Sequence, residues 1–518
     1  NSNASWQHNF RDIREIEMDI FIQTLLQSAD MVLTPNNLLI IPLGLLIGTI
    51  VGAIPGLSAP MGTSLVLPFT FFMEPITAIL LLLGVYKGGI YGGSIPAILF
   101  NIPGTVASSC TTLDGYPLTR KGQSRKALEV ALYASVIADV VSNFTLILLT
   151  GYLANFALHF GAPETFSLIF FSLFVIAGIS GDQLFRGILT ALLGLFVATI
   201  GIDNFHGTQR LTFGHYNLYS GFSVLPLLMG LFAFSEILYR LILGEDSAKK
   251  ILSHAPGGER LRFKEFILIL PTILRSSLIG SVLGAIPGIG AAPAAFFSYG
   301  EARRRSKNKE AFGNGSLEGI AASEAANNAV CASSFIPVLA LGIPGGTAAA
   351  IIMAAFMVHG ISPGPILFKT QLDFVYALYL GLMFGSAVLL IIGLMGIRVL
   401  SRLVNVPSAL LIPSVMVLCI LGSYASNGGM FDVYVMVAAG VLGLIFRVIN
   451  LPLAPFLIGF ILGPLLESSF RDTLLQGGYD VSVFFRSWIA VFFWVLSVVS
   501  IFFVFRRHIE LSREKVKK

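Results

Sequence analysis

Ser94-Ile-Pro-Ala-Ile-Leu-Phe-Asn-Ile-Pro-Gly104 is apolar yet broken by proline and glycine, and it returns later as Ser334-Phe-Ile-Pro-Val-Leu-Ala-Leu-Gly-Ile-Pro-Gly345. Pro96 maps to Pro337 and Pro103 to Pro344, both at an offset of 241. Upstream, Val51-Gly-Ala-Ile-Pro-Gly56 returns as Leu283-Gly-Ala-Ile-Pro-Gly288, with Pro55 mapping to Pro287 at an offset of 232. The nine-residue difference fits the basic loop near 301–318. Glycine and proline are common in membrane helices, but two Pro-Gly anchors in the same order in both halves point to an internal repeat. The stretches around the anchors, 52–72, 92–113, 284–299 and 342–358, are too apolar for water and too broken for straight helices. Irregular backbone at membrane depth survives where protein or a cavity covers it, so these four stretches are predicted to be re-entrant hairpins.

The rest of the chain supplies the membrane. Of 518 residues, 55% are hydrophobic and 12% charged, and the mean hydropathy is +0.83. A soluble domain carries about 25% charged residues, so a large soluble enzyme core is excluded. Apolar segments that approach or exceed the roughly 20 residues needed to cross a bilayer are expected near 38–54, 76–91, 128–158, 163–180, 187–202, 222–243, 266–284, 319–341, 374–400, 408–425, 431–447, 452–467 and 483–505. The fold class is therefore an all-α polytopic membrane protein.

Basic clusters at 120–126, 240–264, 303–309, 398–402 and 506–518 are assigned to the cytoplasm, which puts the C-terminus there too. The sparsely basic loops 203–221, 360–373, 422–431 and 468–482 are then periplasmic. Five crossings separate the starts of the two repeats, so the second copy is expected upside down, an inverted-topology arrangement typical of secondary transporters. Four regions follow: 1–30, a polar appendage (1–17, with Met18 as a natural start) and an amphipathic interfacial helix near 13–26; 31–265, the first repeat; 266–482, the second; and 483–518, a last crossing with a basic tail. The net charge of +5 comes without a basic, aromatic-studded face, so nucleic acid is not a partner. Cys110, Cys331 and Cys419 lie in apolar segments and form no metal or disulfide pattern.

Candidate site residues sit at the broken stretches. Glycine opens the backbone to a ligand, proline starts a helix without losing a hydrogen bond, and a helix N-terminus attracts anions. The paired tips are Ser94, Asn101, Pro103, Gly104 and Thr105, and Gly342, Pro344, Gly345, Gly346 and Thr347, with Gly56, Ser58, Gly288 and Gly290 alongside. These are the candidates for substrate. No arginine lies inside these stretches, so a bound carboxylate rests on backbone N–H groups, Ser, Thr and Asn side chains and a co-bound cation. Asn101, Glu324, Asn327, Asn328 and Ser333 are the candidates for Na⁺, no other metal being indicated; the amides serve equally as helix caps. Glu324 and Asn328 share a helix face.

Lys87 either pairs with substrate or snorkels to the cytoplasmic edge. Asp139 has no evident partner, and Asp114, before Gly115-Tyr116-Pro117, reads as a turn residue. No catalytic residue or organic cofactor is indicated: HExxH, a Walker lysine and a nucleophile–base pair are all missing from the sequence.

The motifs VGAIPGLSAPMG, YKGGIYGGSIPAILFNIPG, TTLDGYPLTRKG, GAIPGIGAAPAAFFSYGEA, EGIAASEAANNA and FIPVLALGIPGG, spread over about residues 30–470, resemble the large membrane subunit of tripartite tricarboxylate transporters. The resemblance implies a small four-helix membrane subunit and a periplasmic solute-binding protein as partners. It also implies uptake driven by an ion gradient, typically Na⁺, and di-, tri- or aromatic carboxylates such as citrate as substrates, in a bacterial inner membrane. An elevator-like slide of the hairpin-bearing core is the expected motion. The rival reading is a channel or passive facilitator for organic anions, since broken helices also build filters.

Overall fold

The computed structural model describes residues 22–54, 57–178, 184–203, 205–243, 258–396 and 408–516. Most of the interfacial helix near 13–26, the basic cluster at 398–402, much of the loop 240–264 and Gly56 lie outside them. The described chain is helical apart from loops and one two-stranded ribbon, Gly201–Ile202 against Gln209–Arg210.

Its first half runs α1 (22–32), α2 (Pro35–Ala53), α3 (Ala59–Val66), α4 (Pro75–Gly92), α5 (Ser94–Phe100), α6 (Ser108–Arg120), α7 (Ser124–Ala157), α8 (Ala162–Gly178) and α9 (Leu184–Ala198). Then α10 (Val224–Leu228) passes through a π-helical turn into α11 (Ser235–Leu243). The second half runs α12 (Phe263–Ala285), α13 (Ala291–Arg305), α14 (Leu317–Ser333), α15 (Phe335–Leu341), α16 (Thr347–Val358), α17 (Leu367–Thr370), α18 (Leu372–Gly396), α19 (Ser408–Asn427), α20 (Met430–Val448), α21 (Leu453–Gln476) and α22 (Trp488–Val516). Among the described residues, eight helices are long and apolar enough to cross a membrane. The chain is an all-α multi-pass membrane protein.

The helix ends fall where the Pro-Gly anchors predict them. After α2 the amide of Ile54 bonds to the carbonyl of Val51 at 3.2 Å; after α12 that of Ile286 bonds to Leu283 at 3.3 Å. Ile54 has φ −86°, ψ 115°, and Ile286 has φ −86°, ψ 119°. The next break shows the same correspondence. α5 ends on Asn101 (φ 59°, ψ 27°) and α15 on Gly342 (φ 68°, ψ 26°). Ile102 N–H then reaches Pro96 O at 3.3 Å, and Ile343 N–H reaches Pro337 O at 3.2 Å. The breaks are narrower than the predicted stretches: α5 (Ser94–Phe100) and the start of α6 fill most of 92–113, and α16 (Thr347–Val358) fills most of 342–358.

Backbone proximity sets the packing. α2 lies on α4 through glycines at every fourth position: Gly44, Gly48 and Gly52 pack on the backbone of Leu81, Val85 and Gly89, and Gly84, Gly88 and Gly92 on that of Ile41, Leu45 and Thr49. A Cβ on Gly48 would stand 2.1 Å from Val85 O, and one on Gly52 2.2 Å from Gly89 O. α12 meets α14 at the equivalent places: a Cβ on Gly280 would stand 2.4 Å from Ala326 O, and one on Gly284 2.9 Å from the Cα of Val330. Small residues drive helix association in a membrane by letting backbones approach. Gly48→Leu is accordingly expected to force α2 off α4 and cost about 3 kcal/mol or more, read as loss of monodisperse protein in detergent; a well-folded variant of unchanged Tm would refute this packing. α14 is the hub, touching α4, α6, α7, α12 and α13, and every residue from Gly319 to Ser333 is buried.

Candidate functional site

At the first tip, Asn101 occupies the left-handed region that ends α5 and is solvent-exposed. Asparagine tolerates that region better than other non-glycine residues, and its counterpart in the second half is glycine, so its backbone role is clear. Ser94 Oγ donates back to Tyr91 O at 2.7 Å. Gly104 N–H donates to Gly93 O at 3.2 Å, in a gap where a Cβ would meet Gly52 O at 2.3 Å. Thr105 and Ser108 cap α6 reciprocally: Ser108 N–H donates to Thr105 Oγ1 at 3.2 Å and Thr105 N–H to Ser108 Oγ at 3.0 Å. Ser58 caps α3 through the amide of Met61 at 3.4 Å.

The second half differs. Gly288 N–H donates to Gly345 O at 2.9 Å, joining its two loops. Yet α13 after Gly290 and α16 after Gly346 start without a side-chain cap. Pro344 is buried, Pro103 half-buried. Each half thus gathers its own candidates; among the described residues no hydrogen bond joins 101–105 to 342–347.

Glu324, Asn327 and Asn328 lie together on α14, fully buried. Thr111 of α6 donates to Glu324 Oε1. Ser135 of α7 donates to Oε2 at 3.4 Å, and Asn328 Nδ2 lies 3.3 Å from Oε2 and 2.8 Å from Ser135 Oγ. Glu324 forms no ion pair among the described residues. Asn327 is 1% exposed, and neither its Oδ1 nor its Nδ2 has a hydrogen-bond partner among the described residues. α6 runs antiparallel to α14, with Thr111 beside Ser323 at 3.1 Å and Asp114 against Ser316. That direction puts Asn327, one turn beyond Ser323, level with the start of α6. Ser333 stands apart: nine residues along α14 from Glu324, about 13 Å, its Oγ bonded to Ala329 O at 2.8 Å.

Two sequence readings need correction. Asp139, expected to lack a partner, pairs with Lys87 at 2.7 Å, both side chains 2% exposed. Lys87 therefore neither snorkels nor stands free for substrate. The two residues are distant in sequence and meet through packing of α4 on α7, which no local pattern announces. Asp114 is no turn residue: it lies inside α6. Its Oδ1 accepts the amides of Gly313, Gly315 and Ser316 at 2.8–2.9 Å and its Oδ2 the hydroxyl of Tyr299 at 2.9 Å. A buried carboxylate with four donors outweighs the turn preference of Asp-Gly.

Arg210 and Arg471 form a polar rim. Arg471 donates to both oxygens of Asp203 at 2.9–3.0 Å and to Glu467 at 2.6 Å, and Arg210 pairs with Glu467 at 2.6 Å. Arg210, Asp203 and Glu467 line a cavity of about 360 Å³. It shares Ala198, Ile200, Ser220 and Pro464 with an apolar cavity of about 410 Å³ that reaches Gly342. The Phe205 amide, helped by Arg471, holds Asp203 below the usual carboxylate range. A depressed folded pKa contributes stability above the unfolded value, near 4, and loses it as pH falls through the folded value. Limited proteolysis of the loop 199–223 is thus expected to be flat over pH 5–8 and to rise only below about pH 4, whereas Asp203→Asn is cleaved readily at neutral pH. Equal resistance of both proteins at pH 7 would remove the bracing role.

The sequence matches the family model described as "Tripartite tricarboxylate transporter TctA family" over residues 38–458. An uncharacterised 52.8 kDa protein in the TAR-I ttuC' 3' region of Agrobacterium vitis is 35% identical over 484 residues, covering 93% of this chain and 96% of that protein. An uncharacterised protein in the TAR-II ttuC' 3' region of the same organism is 35% identical over 237 residues, 46% of this chain and 98% of its own length. No solved structure matches. With the family matched across most of the chain, in a multi-pass helical protein, the chain belongs to the tripartite tricarboxylate transporter TctA family, the large membrane subunit of such transporters.

Proposed function

We propose that this subunit carries small organic carboxylates inward across the bacterial inner membrane by cation symport, with Na⁺ as the coupling ion. A periplasmic solute-binding protein delivers the substrate, and a small four-helix membrane subunit completes the assembly. The observation that carries this reading is the α14 cluster: a buried carboxylate without a basic partner among the described residues, beside an amide with both ends unsatisfied there. Ionisable groups at membrane depth are functional by default, and a buried polar atom without a partner is costly unless a ligand supplies one. Glu324 and Asn327 Oδ1 are acceptors suited to Na⁺; Asn327 Nδ2 is a donor suited to the carboxylate that travels with it.

The uncapped starts of α13 and α16, joined through Gly288 and Gly345, supply a second seat for anionic oxygen. Gly290, Gly346 and Thr347 stand at those helix starts. The matched breaks support an inverted arrangement of two re-entrant hairpins per half and an elevator-like slide of that core; assigning the basic loops to the cytoplasm puts the C-terminus there. The test is uptake of a labelled di- or tricarboxylate into proteoliposomes holding both membrane subunits, with external binding protein, with and without an inward Na⁺ gradient. Uphill uptake that requires the gradient is expected. Equilibration indifferent to the gradient would make the chain a passive facilitator.

A further inference from the structure

Outside the α14 cluster, Lys87 sits in a shell of oxygens. Its Nζ lies 2.7 Å from Asp139 Oδ2, 2.7 Å from the carbonyl of Leu382 and 3.3 Å from Ser386 Oγ. Ser386 Oγ in turn donates to Asp139 Oδ2 at 2.6 Å, and Asn143 Nδ2 donates to Ser386 Oγ at 2.9 Å. Two oxygens are left over. Asp139 Oδ1 and Asn143 Oδ1, one turn apart on α7, are buried without a donor among the described residues, and Asp139 and Asn143 are 2% and 1% exposed.

Every unsatisfied atom here is an acceptor, so the missing partner is a proton donor or a cation. A carboxylate, a hydroxyl and a helix carbonyl converge on the Lys87 charge, and the Asn143 side chain, whose Nδ2 donates to Ser386 Oγ and Leu382 O, adds an unpartnered amide oxygen one turn along α7; together these oxygens are of the kind a hard cation takes as ligands. We infer that Asp139, Asn143, Ser386 and the Leu382 carbonyl form a monovalent-cation site, held in this state by the Lys87 ammonium as a tethered cation. A free ion competes with Lys87 for it. The site is distinct from Glu324 and stands without it. Because α7 carries Ser135 toward Glu324 one turn before Asp139, the two charges report on one helix, and displacing Lys87 frees α4 from α7 and α18.

The test uses the full chain in detergent, in a Glu324→Gln background so that no result depends on the α14 cluster. Melting is followed in NaCl, LiCl, KCl and choline chloride at constant ionic strength. With Lys87→Gln added, the vacated site is expected to take the small cation: Tm rises by several degrees in Na⁺ or Li⁺ over choline, and Asp139→Asn added on top erases the rise. With Lys87 retained, Asn143→Asp is expected to lower the half-stabilising Na⁺ concentration at least tenfold, and this variant decides should Lys87→Gln not fold. A pH series separates a proton from a metal cation: a Tm gain that appears in choline on acidification, without an alkali-cation response, would overturn the alkali-cation assignment. The same Tm in all four salts for both variants would make Lys87–Asp139 a static ion pair and sink the inference.

Discussion

Glu324→Gln is expected to abolish cation-coupled accumulation while leaving the protein folded. The substitution keeps the shape: its carbonyl accepts from one of the hydroxyls of Thr111 and Ser135, and its NH₂ donates to the other, which turns to accept. It removes a charge that has no ion-pair partner among the described residues, so folding does not suffer: burying an uncompensated carboxylate is a cost, and Tm is expected to hold or rise. Transport has the opposite sign. If Glu324 supplies the negative charge for the coupling ion, losing it removes the free energy that links ion and substrate, typically 1–3 kcal/mol or roughly 5- to 150-fold. The readout is the Na⁺ dependence of substrate accumulation in proteoliposomes. Unchanged Na⁺ dependence with full accumulation would move the coupling site away from α14. Asn327→Leu is the companion: it leaves the charge and removes both unsatisfied polar atoms, so it is expected to weaken substrate and ion together without lowering Tm.

What the sequence disclosed and what it hid follow different physics. Proline and glycine act locally, through a missing donor and an accessible left-handed region. That is why the breaks at Ile54, Asn101, Ile286 and Gly342 were legible at residue level, as were most helices, from apolar length alone. The polar contacts were not legible, because each joins residues far apart in sequence. Glu324 and Asn328 were legible as a pair, being four apart on one helix, but the hydroxyls of Thr111 and Ser135 that complete the cluster come from other helices. Asp114 shows a local signal overridden: Asp-Gly-Tyr-Pro favours a turn in isolation, yet three amides and a phenol hold that carboxylate inside a helix. The polar stripe Ser135, Asp139, Asn143 on α7 recurs every fourth residue and was the available clue to Lys87's partner. Asn101 drew attention as a side chain; the structure adds that its backbone is left-handed, as at Gly342.

Breaking the Lys87–Asp139 pair from one side is expected to be the most damaging change to stability, and removing it whole nearly harmless. Asp139→Leu leaves the ammonium buried against Ser386 and the Leu382 carbonyl without a counter-charge. Lys87→Met leaves a buried carboxylate with Ser386 as its one donor among the described residues. Each is expected to cost about 3–5 kcal/mol, because an uncompensated charge keeps its desolvation penalty and loses its attraction. In Lys87→Met/Asp139→Leu both charges go, Ser386 still bonds to Leu382 O at 3.1 Å, and apolar packing is expected to bring stability back to within about 1 kcal/mol of the native chain, as for other buried pairs replaced by apolar residues. The cycle, measured by chemical denaturation in detergent, thus yields a coupling of several kcal/mol; single variants costing under about 1 kcal/mol would mean that water reaches the pair. The same cycle separates a brace from a cation site. A brace costs the same in every salt. In the tethered-cation reading, the cost of Lys87→Gln shrinks in NaCl and not in choline chloride, while that of Asp139→Leu is the same in both, since a site without its carboxylate has nothing to offer the ion.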